Sequence, residues 1–320
     1  MTHLPLGPGG EFDRIRGIIA RLGAAAPTLG DDCALLEWPG GTLAVSTDAT
    51  IEGVHFLDGW LTHAEIGWRA AARAFSDIAA EGASPIGAVV ALTAPRDASA
   101  DAIVDVMGGA GDAAASVGAT ILGGDLAAGD RWHLVVTVIG TALRAVTRAG
   151  AAPGDVLWVT GELGGARAAL DAWLAGEEPD PRARRAFASP APRVAAGIAL
   201  AEAGARAMID VSDGLGGDAP HLAAASGVRL VFDLDRIPVA PGSASPLHAA
   251  GGGEDYELLV AMPPAFEPEA SALADAAGVA LTRVGRVEAG AGAIFLLGGV
   301  PVGVPGWDHF AEHRRDGPSR

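Results

Sequence analysis

Helical and strand periodicities alternate along the chain and fall into two series. Short apolar runs at 33–38 and 42–47, joined across Pro39-Gly40-Gly41, predict a β-hairpin in the first series. An alanine-rich pattern with helical spacing over 63–81 predicts a helix that ends at Gly82. The elements predicted after it are a strand at 87–94, a helix at 98–117, and strands at 119–122 and 132–141.

The second series begins after a break over 144–155, where arginine, glycine and proline interrupt the pattern. We therefore predict two domains, over 1–148 and 149–320, in an α/β (α+β) chain whose strand order propensity alone does not fix. The charged, proline-containing segment 176–190 predicts an exposed loop. The other elements predicted here are strands at 155–160, 207–211, 228–233, 256–262, 280–287 and 293–297, and helices at 163–174, 192–204, 215–226 and 266–277.

The charged residues narrow the possible chemistry. The 320 residues include 39 acidic and 22 basic side chains, which gives a net charge of −17, and all 22 basic side chains are arginine. The absence of lysine excludes a Walker-type phosphate loop, a kinase that depends on a strand lysine, and a Schiff-base enzyme. The negative charge also argues against a nucleic-acid partner, because sequence-independent binding needs cations that neutralise phosphates.

Two features bear on where the protein works. The chain has one cysteine, Cys33, which cannot form an intrachain disulfide and suits a reducing compartment. Glu11 and Asp13 stand where a signal peptide would be apolar, and the longest uncharged run, 289–307, contains six glycines and two prolines. We expect a cytoplasmic protein that does not bind or cross a membrane.

Short acidic motifs recur beside glycine, serine or threonine. Three of them directly follow strongly apolar strands, in the sequences LAVSTD, ATILGGD and AMIDVSDG, and ligands in α/β proteins bind at such strand ends. A single motif of this kind is typical of a turn or a helix cap. The six motifs lie at 30–32, 46–48, 76–77, 123–125, 210–214 and 252–255.

If these carboxylates converge, they need counter-charges. Two carboxylates about 4 Å apart repel by about 4 kcal/mol at an effective dielectric near 20, so several together require raised pKa values or bound cations. Mg²⁺ accepts oxygen ligands and usually binds together with phosphate. In a chain without lysine, we therefore predict metal-dependent handling of a nucleotide, with arginine and backbone amides as the other phosphate-binding groups.

The motifs, taken in order, resemble those of the thiamine-monophosphate kinase family. The first half carries GDDCALL (30–36), STD (46–48), GVHF (53–56), SDIAAEGASP (76–85) and GGD (123–125). The second half carries TRAGAAPGD (147–155), IDVSDGL (209–215), GGEDYEL (252–258) and GWDHF (306–310). The resemblance implies an N-terminal α/β domain that forms a β-barrel in a homodimer, a C-terminal α/β domain, and ATP with several Mg²⁺ ions between the domains.

The resemblance also implies roles for individual residues. The positions that match metal ligands are Asp32, Ser46, Thr47, Asp48, Asp77, Asp125, Asp210 and Asp213. The positions that match contacts to ATP are Gly124, Asp125, Arg148 and Ser212, with Arg148 the one basic residue expected near the phosphates. Those that match contacts to thiamine monophosphate are His55, Glu254 and Trp307. One departure is Ser189, which stands before the PAPR segment where the resemblance leads us to expect a basic residue.

The activity implied is ATP-dependent phosphorylation of thiamine monophosphate to thiamine diphosphate, by direct in-line transfer. The attacking phosphate oxygen is already mostly ionised at neutral pH, so positioning and charge neutralisation can supply most of the catalysis. Asp48, Asp125 and Asp213 are the residues that we expect to be catalytic, with Asp48 and Asp125 the most sensitive positions. Two alternatives stay open: another ATP-using enzyme of the superfamily (HypE-like or aminoimidazole ribonucleotide synthetase-like), and a non-catalytic Mg²⁺- and nucleotide-binding protein.

Overall fold

The first half of the chain forms a five-stranded sheet. The structure, a computed structural model, describes residues 3–25, 29–308 and 310, so His309 of the last motif lies outside it. In this sheet β3 and β4 pair in parallel and the other pairs are antiparallel, in the order β1-β2-β5-β3-β4. Its strands are β1 (Ala34–Trp38), β2 (Gly41–Ile51), β3 (Ser84–Pro95), β4 (Thr120–Gly129) and β5 (His133–Ala142).

Among the described residues, this half has three α-helices: α1 (Gly10–Leu22), α2 (His63–Ala80) and α3 (Ala100–Ser116). Helix α2 is largely buried, and it starts at a capping box in which Thr62 and Glu65 bond each other's backbone amides. It packs closely on α3, because a Cβ on Gly67 or Gly109 would meet a carbonyl oxygen of the facing helix within 2 Å. Helix α1 was absent from the sequence prediction, and it has no buried residue that would mark an apolar face.

The second half forms a seven-stranded sheet in the order β12-β11-β8-β10-β6-β9-β7, in which only β8 and β11 pair in parallel among the described strands. Strands β6, β7 and β9 are buried along their whole length, which explains their continuous apolar sequences. The strands are β6 (Val156–Thr160), β7 (Ala207–Val211), β8 (Arg229–Asp233), β9 (Glu257–Met262), β10 (Leu281–Glu288), β11 (Gly292–Leu297) and β12 (Val300–Val302).

In the part of the second half that the structure describes, six α-helices accompany this sheet: α4 (Gly165–Leu174), α5 (Pro181–Ala188), α6 (Val194–Glu202), α7 (Leu215–Ser226), α8 (Pro246–Gly251) and α9 (Ala270–Ala277). The predicted helix at 266–277 divides into a 3₁₀ turn and α9. With two sheets and helices from both halves, the α/β (α+β) class expected from the sequence is confirmed. No helix among the described residues is both long enough and apolar enough to span a membrane.

The prediction of an exposed loop at 176–190 was wrong. Asp180 caps α5 there, Pro181 occupies its first turn, and Ala183 and Phe187 are buried, one helical turn apart. Phe187 packs against a stacked pair of tryptophans, Trp60 and Trp173. The sequence did not reveal this short apolar stripe, because arginines on the other face of α5 separate its residues.

Two strands run further than the sequence predicted. Strand β2 continues to Ile51 and β4 to Gly129, so the motifs at 46–48 and 123–125 lie inside strands and not in loops after them. Gly124 is required by the pairing, because a Cβ there would meet the carbonyl oxygen of Val90 at 1.9 Å. The glycines that suggested a turn instead permit close approach of two backbones.

Candidate active site

The acidic motifs converge where the two halves of the chain meet. Helix α2 lies between the first sheet and β7, and the Ser76 hydroxyl donates to the Asp210 carboxylate across this boundary, at 2.7 Å in a buried position. On the next residue of α2, Asp77 accepts a hydrogen bond of 2.5 Å from Ser46 on β2. Consecutive residues of one helix thus connect the two sheets, and they bring side chains from three motifs together.

Five of these carboxylates form what we call the acid-rich end of the site. One oxygen of each of Asp32, Asp77 and Asp210 lies within 4.8 Å of the others, and the same holds for Asp31, Asp32 and Glu81. Asp32 therefore belongs to both groups. The acid-rich end consists of Asp31, Asp32, Asp77, Glu81 and Asp210.

The pKa values at the acid-rich end report crowding of negative charge. Burial is the main cause that raises the pKa of Asp77 well above its usual range, and Asp210 and Asp32 raise it further. The pKa of Asp210 rises to about 7, through burial first and the charge of Asp32 second. The pKa of Asp31 rises to about 6 for the same two kinds of reason. Without added cations, the site therefore holds protons near neutral pH.

Arg148 is the one cation among the described residues that forms salt bridges with the acid-rich end. Its Nε and Nη2 bind the two oxygens of Asp32 at 3.0 and 2.7 Å, and its backbone amide donates to Asp31. The negative charge of Asp32 raises the pKa of Arg148 against the effect of burial. One guanidinium cannot balance five carboxylates, so this end is suited to cationic ligands.

The opposite end of the site is different, and we call it the arginine-paired end: Asp48, Arg69, Arg73 and Glu254. Arg73 binds Asp48 through Nε at 2.9 Å and Nη2 at 3.3 Å, and its Nη1 lies 3.7 Å from Glu254. Arg69, fully buried on α2, binds Glu254 directly and lies over the ring of Phe187. Two carboxylates thus face two guanidinium groups.

Glu254 is held ionised in a strained loop. Burial acts to raise its pKa, but Arg69 and Arg73 outweigh burial and lower the pKa to about 2. Tyr256, the one tyrosine of the chain, donates a hydrogen bond of 2.8 Å to the same carboxylate. Both residues have left-handed backbone conformations, with φ of 73° at Glu254 and 52° at Tyr256, an arrangement that in proteins accompanies functional sites.

The remaining predicted residues of the second half lie beside Glu254. The amide of Glu254 donates to the carbonyl of Ser212 at 2.7 Å, and the amide of Trp307 donates to the carbonyl of Asp213 at 3.0 Å. Burial, with neighbouring carboxylates as a second cause, raises the pKa of Asp213 to about 7. The segments that carry Ser212, Asp213, Glu254 and Trp307 therefore form one continuous wall of the site.

His55 belongs to the same region. Its Nδ1 accepts a hydrogen bond of 3.0 Å from the amide of Ile51, at the end of β2. When protonated, it adds to the lowering of the pKa of Glu254, after the larger effects of Arg69, Arg73 and Tyr256, so the two side chains lie within electrostatic reach of each other. The structure thus brings the two residues expected to contact thiamine monophosphate, His55 and Glu254, to one end.

Three predicted residues are not brought to this cluster within one chain. Thr47 lies on the opposite face of β2 from Ser46 and Asp48, is exposed, and contacts the Thr137 hydroxyl at 3.0 Å. Gly124 and Asp125 lie on the exposed edge strand β4, which β5 and β3 separate from β2. At the usual strand spacing, this corresponds to about 14 Å along the sheet.

The sequence analysis missed four residues of the site. Arg69 and Arg73 are four positions apart in an alanine-rich helix, so they share one face with Asp77, and that spacing was the available signal. Glu81 ends the same helix, and Asp31 adjoins Asp32. The segment after Ser189 forms a separate ion pair, in which Arg193 binds both oxygens of Glu257. Neither residue belongs to the two ends of the site as defined above.

Two family models match the chain. Residues 30–142 match AIR synthase related protein, N-terminal domain, and residues 152–297 match AIR synthase related protein, C-terminal domain. Together the two matches cover most of the chain, including every residue of both ends of the site. Arg148 and Trp307 lie outside the matched ranges.

Individual proteins match over nearly their whole length. The thiamine-monophosphate kinase of Mycobacterium tuberculosis is 35% identical over 326 residues, which covers 96% of this chain and 94% of that protein. That of Halobacterium salinarum is 38% identical over 299 residues, which covers 92% and 99%. A solved structure of AaThiL complexed with AMPPCP and TMP superposes with a TM-score of 0.84 at 31% identity, and covers 94% of this chain and 97% of that one.

Proposed function

The chain belongs to the thiamine-monophosphate kinase family, and from that premise we propose that it transfers the γ-phosphoryl group of ATP to thiamine monophosphate, giving thiamine diphosphate and ADP. The observation that carries the proposal is the convergence of the family-matched motifs on one boundary between two sheets. A similar fold binds AMPPCP and TMP together, which supports a nucleotide and a thiamine phosphate as the two substrates here.

We further propose that Mg²⁺ ions bind at the acid-rich end. The residues fit such ions, because five buried or half-buried carboxylates face one arginine and their pKa values are raised. Bound Mg²⁺ would neutralise phosphate charge and help to orient the transferred group. Three of the residues proposed to hold these ions, Asp32, Asp77 and Asp210, belong to the acid-rich end. The others lie outside it as defined above: Ser46, which bonds Asp77, and the carboxylates of Asp48 and Asp213. Thr47 and Asp125 are ligands expected from the sequence alone.

Several side chains orient these ligands. The Ser76 hydroxyl holds Asp210, and the Ser46 hydroxyl holds Asp77, so each carboxylate keeps its other oxygen for a ligand. Arg148 is proposed to contact the ATP phosphates together with Ser212. Since Arg148 is bound to Asp32 in this structure, a cation that takes over Asp32 would release guanidinium donors for phosphate.

The arginine-paired end is proposed to receive thiamine monophosphate. Trp307 supplies an aromatic plane for the cationic thiazolium ring and belongs to the same wall as Glu254, and His55 lies near Glu254. Both oxygens of Glu254 face arginines, so this carboxylate acts mainly by fixing Arg69 and Arg73. Arg73 Nη1 has no hydrogen-bond partner among the described residues and is the donor proposed to reach the substrate phosphate.

The reaction needs no proton acceptor from the protein. The second pKa of a phosphate monoester is near 6, so the attacking oxygen of thiamine monophosphate is already mostly ionised at neutral pH. The chain's own contribution is to hold the two phosphates in line, exclude water and balance charge. On this account Asp48 and Asp213 act as ligands at the reacting phosphates and not as general bases.

The position of Asp125 supports a homodimer. Strand β4 is an edge strand that exposes Leu122 and Leu126, and a groove of about 330 Å³ beside it is lined by apolar residues of β3 and α3. Exposed apolar edges are covered in stable proteins. We propose that β4 pairs with a second copy and that Gly124 and Asp125 serve the nucleotide site of that copy. The division into domains 1–148 and 149–320 and the cytoplasmic location stay predictions.

Mixed dimers test the sharing of sites. If Asp48 and Asp125 act in one site but come from two copies, a dimer of Asp48→Asn with Asp125→Asn has one doubly altered site and one intact site. Such a dimer, purified with two different affinity tags, should retain about half the activity of the unaltered dimer. Activity as low as that of either altered homodimer would show that the two residues do not come from different copies.

The activity itself is tested by a coupled assay of ADP release with ATP, Mg²⁺ and thiamine monophosphate, with free thiamine as the control acceptor. We expect ADP and thiamine diphosphate in equal amounts with thiamine monophosphate, and neither with free thiamine. ADP release with an amide or thiocarboxamide acceptor, and none with thiamine monophosphate, would instead place the chain's activity with other ATP-using enzymes of the superfamily.

A further inference from the structure

A second group of carboxylates adjoins the proposed nucleotide site. Asp31, Asp32 and Glu81 each place one oxygen within 4.8 Å of the others, and we call them the outer acid cluster. Asp32 connects this cluster to the neighbouring group, which Asp77 and Asp210 complete. Asp31 and Glu81 belong only to the outer acid cluster, so it contains two carboxylates that the proposed reaction does not use.

Glu81 gives the cluster an unsatisfied ligand atom. It is the residue that ends α2, and its side chain is fully buried. Its Oε1 accepts a hydrogen bond of 3.3 Å from the amide of Cys33, while its Oε2 has no hydrogen-bond partner among residues 3–25, 29–308 and 310. A buried carboxylate oxygen without a partner is costly, and proteins normally supply a hydrogen bond or a cation to it.

The charge balance leaves room for a divalent ion. The side chains of Asp31 and Asp32 are only 10% and 2% exposed, so water does little to screen them. Arg148 is the one cationic group in contact with the cluster within the described part of the chain. Three carboxylates and one guanidinium leave two negative charges, which one divalent cation or two protons would neutralise.

We propose that Asp31, Asp32 and Glu81 bind a divalent cation of the Mg²⁺ type, beside the ions proposed for the nucleotide site. All three ligands are carboxylate oxygens, which hard divalent cations prefer. The bound ion would join the segment of Asp31 and Asp32 to the end of α2. It would thereby hold in place these two segments, which adjoin the proposed nucleotide site. This site does not depend on the proposed kinase activity, because it is formed by residues of the chain alone.

Mn²⁺ binding to the full chain, without nucleotide, tests the proposal. The number of ions bound per chain is read from the loss of the free Mn²⁺ signal in electron paramagnetic resonance. Glu81→Gln keeps the size of the side chain and an acceptor for the Cys33 amide, but removes the charge. We expect it to bind one ion fewer than the unaltered protein, and to show a smaller rise of Tm with Mn²⁺.

Three further variants make the result decisive. Asp31→Asn should lose the same ion, and the double variant with Glu81→Gln should lose no more than either single variant. Glu202→Gln, at an exposed carboxylate, should change nothing. Asp77→Asn should lose an ion of the neighbouring group and keep the one at Glu81, which separates a failure here from a failure of the proposed nucleotide site.

An unchanged ion count in Glu81→Gln and in Asp31→Asn would overturn the proposal and assign two protons to the cluster instead. Far-UV circular dichroism and the metal-free Tm establish that each variant is folded. If Glu81→Gln does not fold, the count for Asp31→Asn decides, because that residue lies nearer the surface.

Discussion

The two ends of the site differ in how the negative charge of their buried carboxylates is balanced. At the arginine-paired end, Asp48 and Glu254 face Arg69 and Arg73, and the pKa of Glu254 is lowered to about 2. At the acid-rich end, burial and mutual repulsion raise the pKa of Asp210 to about 7, and Arg148 is the one cation that forms salt bridges with this end among the described residues. The charges of the arginine-paired end are therefore balanced within the folded chain, whereas the acid-rich end needs cationic ligands to balance its charges.

The largest expected effect comes from Asp77→Asn at the acid-rich end. We expect kcat/KM to fall by about 10³-fold, equivalent to about 4 kcal/mol, because a ligand of the proposed metal site is removed. The metal-free protein should become more stable, by on the order of 1 kcal/mol, since the cost of keeping this buried carboxylate either charged or protonated disappears. Steady-state kinetics and urea unfolding without metal measure the two effects. Loss of both activity and metal-free stability would contradict the contrast between the ends.

Arg73→Ala should have the opposite signature at the arginine-paired end. It leaves the carboxylate of Asp48 without its bidentate partner, so we expect stability to fall by about 2 kcal/mol with or without metal. Activity should fall about 100-fold, mainly through KM for thiamine monophosphate. Arg73→Lys is the matched variant, and it should recover most of the stability but less of the activity. A variant as stable as the unaltered protein would show that Asp48 does not need this partner.

The pH dependence of stability follows from the raised pKa values. Asp210 and Asp213 have pKa values of about 7 in the folded state and of about 4 when unfolded, so the folded state binds more protons between these values. Their contribution to stability is present below pH 4 and is lost as the pH rises through 7. Between pH 6.5 and 8, we expect the metal-free protein to lose on the order of 1 kcal/mol.

His221, whose pKa is lowered to about 3, mainly by burial, is neutral in the folded state throughout this window. In the unfolded state its ordinary pKa of about 6.5 leaves it partly protonated only at the lower end of the window, so its opposing contribution to stability is confined to that end. Thermal unfolding in chelator measures the slope, and Asp210→Asn should reduce it. With saturating Mg²⁺ the trend should vanish or reverse, because cations compete with protons for the same oxygens. A metal-free protein that becomes more stable from pH 6.5 to 8 would contradict the raised pKa values.

The smallest expected effect is at an ion pair outside the site. Arg184 on α5 binds both oxygens of Glu65 near the surface, in partly exposed positions. Arg184→Ala should cost about 0.5 kcal/mol, less at high salt, because exposed pairs contribute little. Urea unfolding at two salt concentrations measures this loss of unfolding free energy. A loss as large as that of Arg73→Ala would show that ion pairs of the site do not stabilise the fold more than a surface pair does.

The sequence predicted the acid-rich end better than the arginine-paired end. Asp32, Asp77 and Asp210 stand in short motifs whose residue types already indicate cation binding. Arg69 and Arg73 were not predicted, because their role depends on the packing of α2 against the Glu254 loop, which no local pattern contains. The prediction for the α5 segment was wrong for a related reason. Its buried residues, Ala183 and Phe187, lie one helical turn apart, and charged residues that stay on the outer face separate them in the sequence.

Strand lengths depended on pairing that no local pattern contains. Gly124 lies in a strand because the backbone of β3 approaches it closely, and its glycine neighbour had suggested a turn. The register of β2 against β5 similarly carries Asp48 inside a strand, with Ser46 on the same face. Motifs therefore identified the residues, whereas the tertiary pairing decided which of them meet.

The two ends differ in charge balance: the acid-rich end needs bound cations to balance its carboxylates, whereas arginines of the chain balance those of the arginine-paired end. Isothermal titration of Mg²⁺, at fixed pH and without nucleotide, into Asp210→Asn and Glu254→Gln tests it directly. We expect Asp210→Asn to lose at least one binding event, while Glu254→Gln keeps the same number and affinity as the unaltered protein. Unchanged binding in Asp210→Asn, or loss of binding in Glu254→Gln alone, would contradict it.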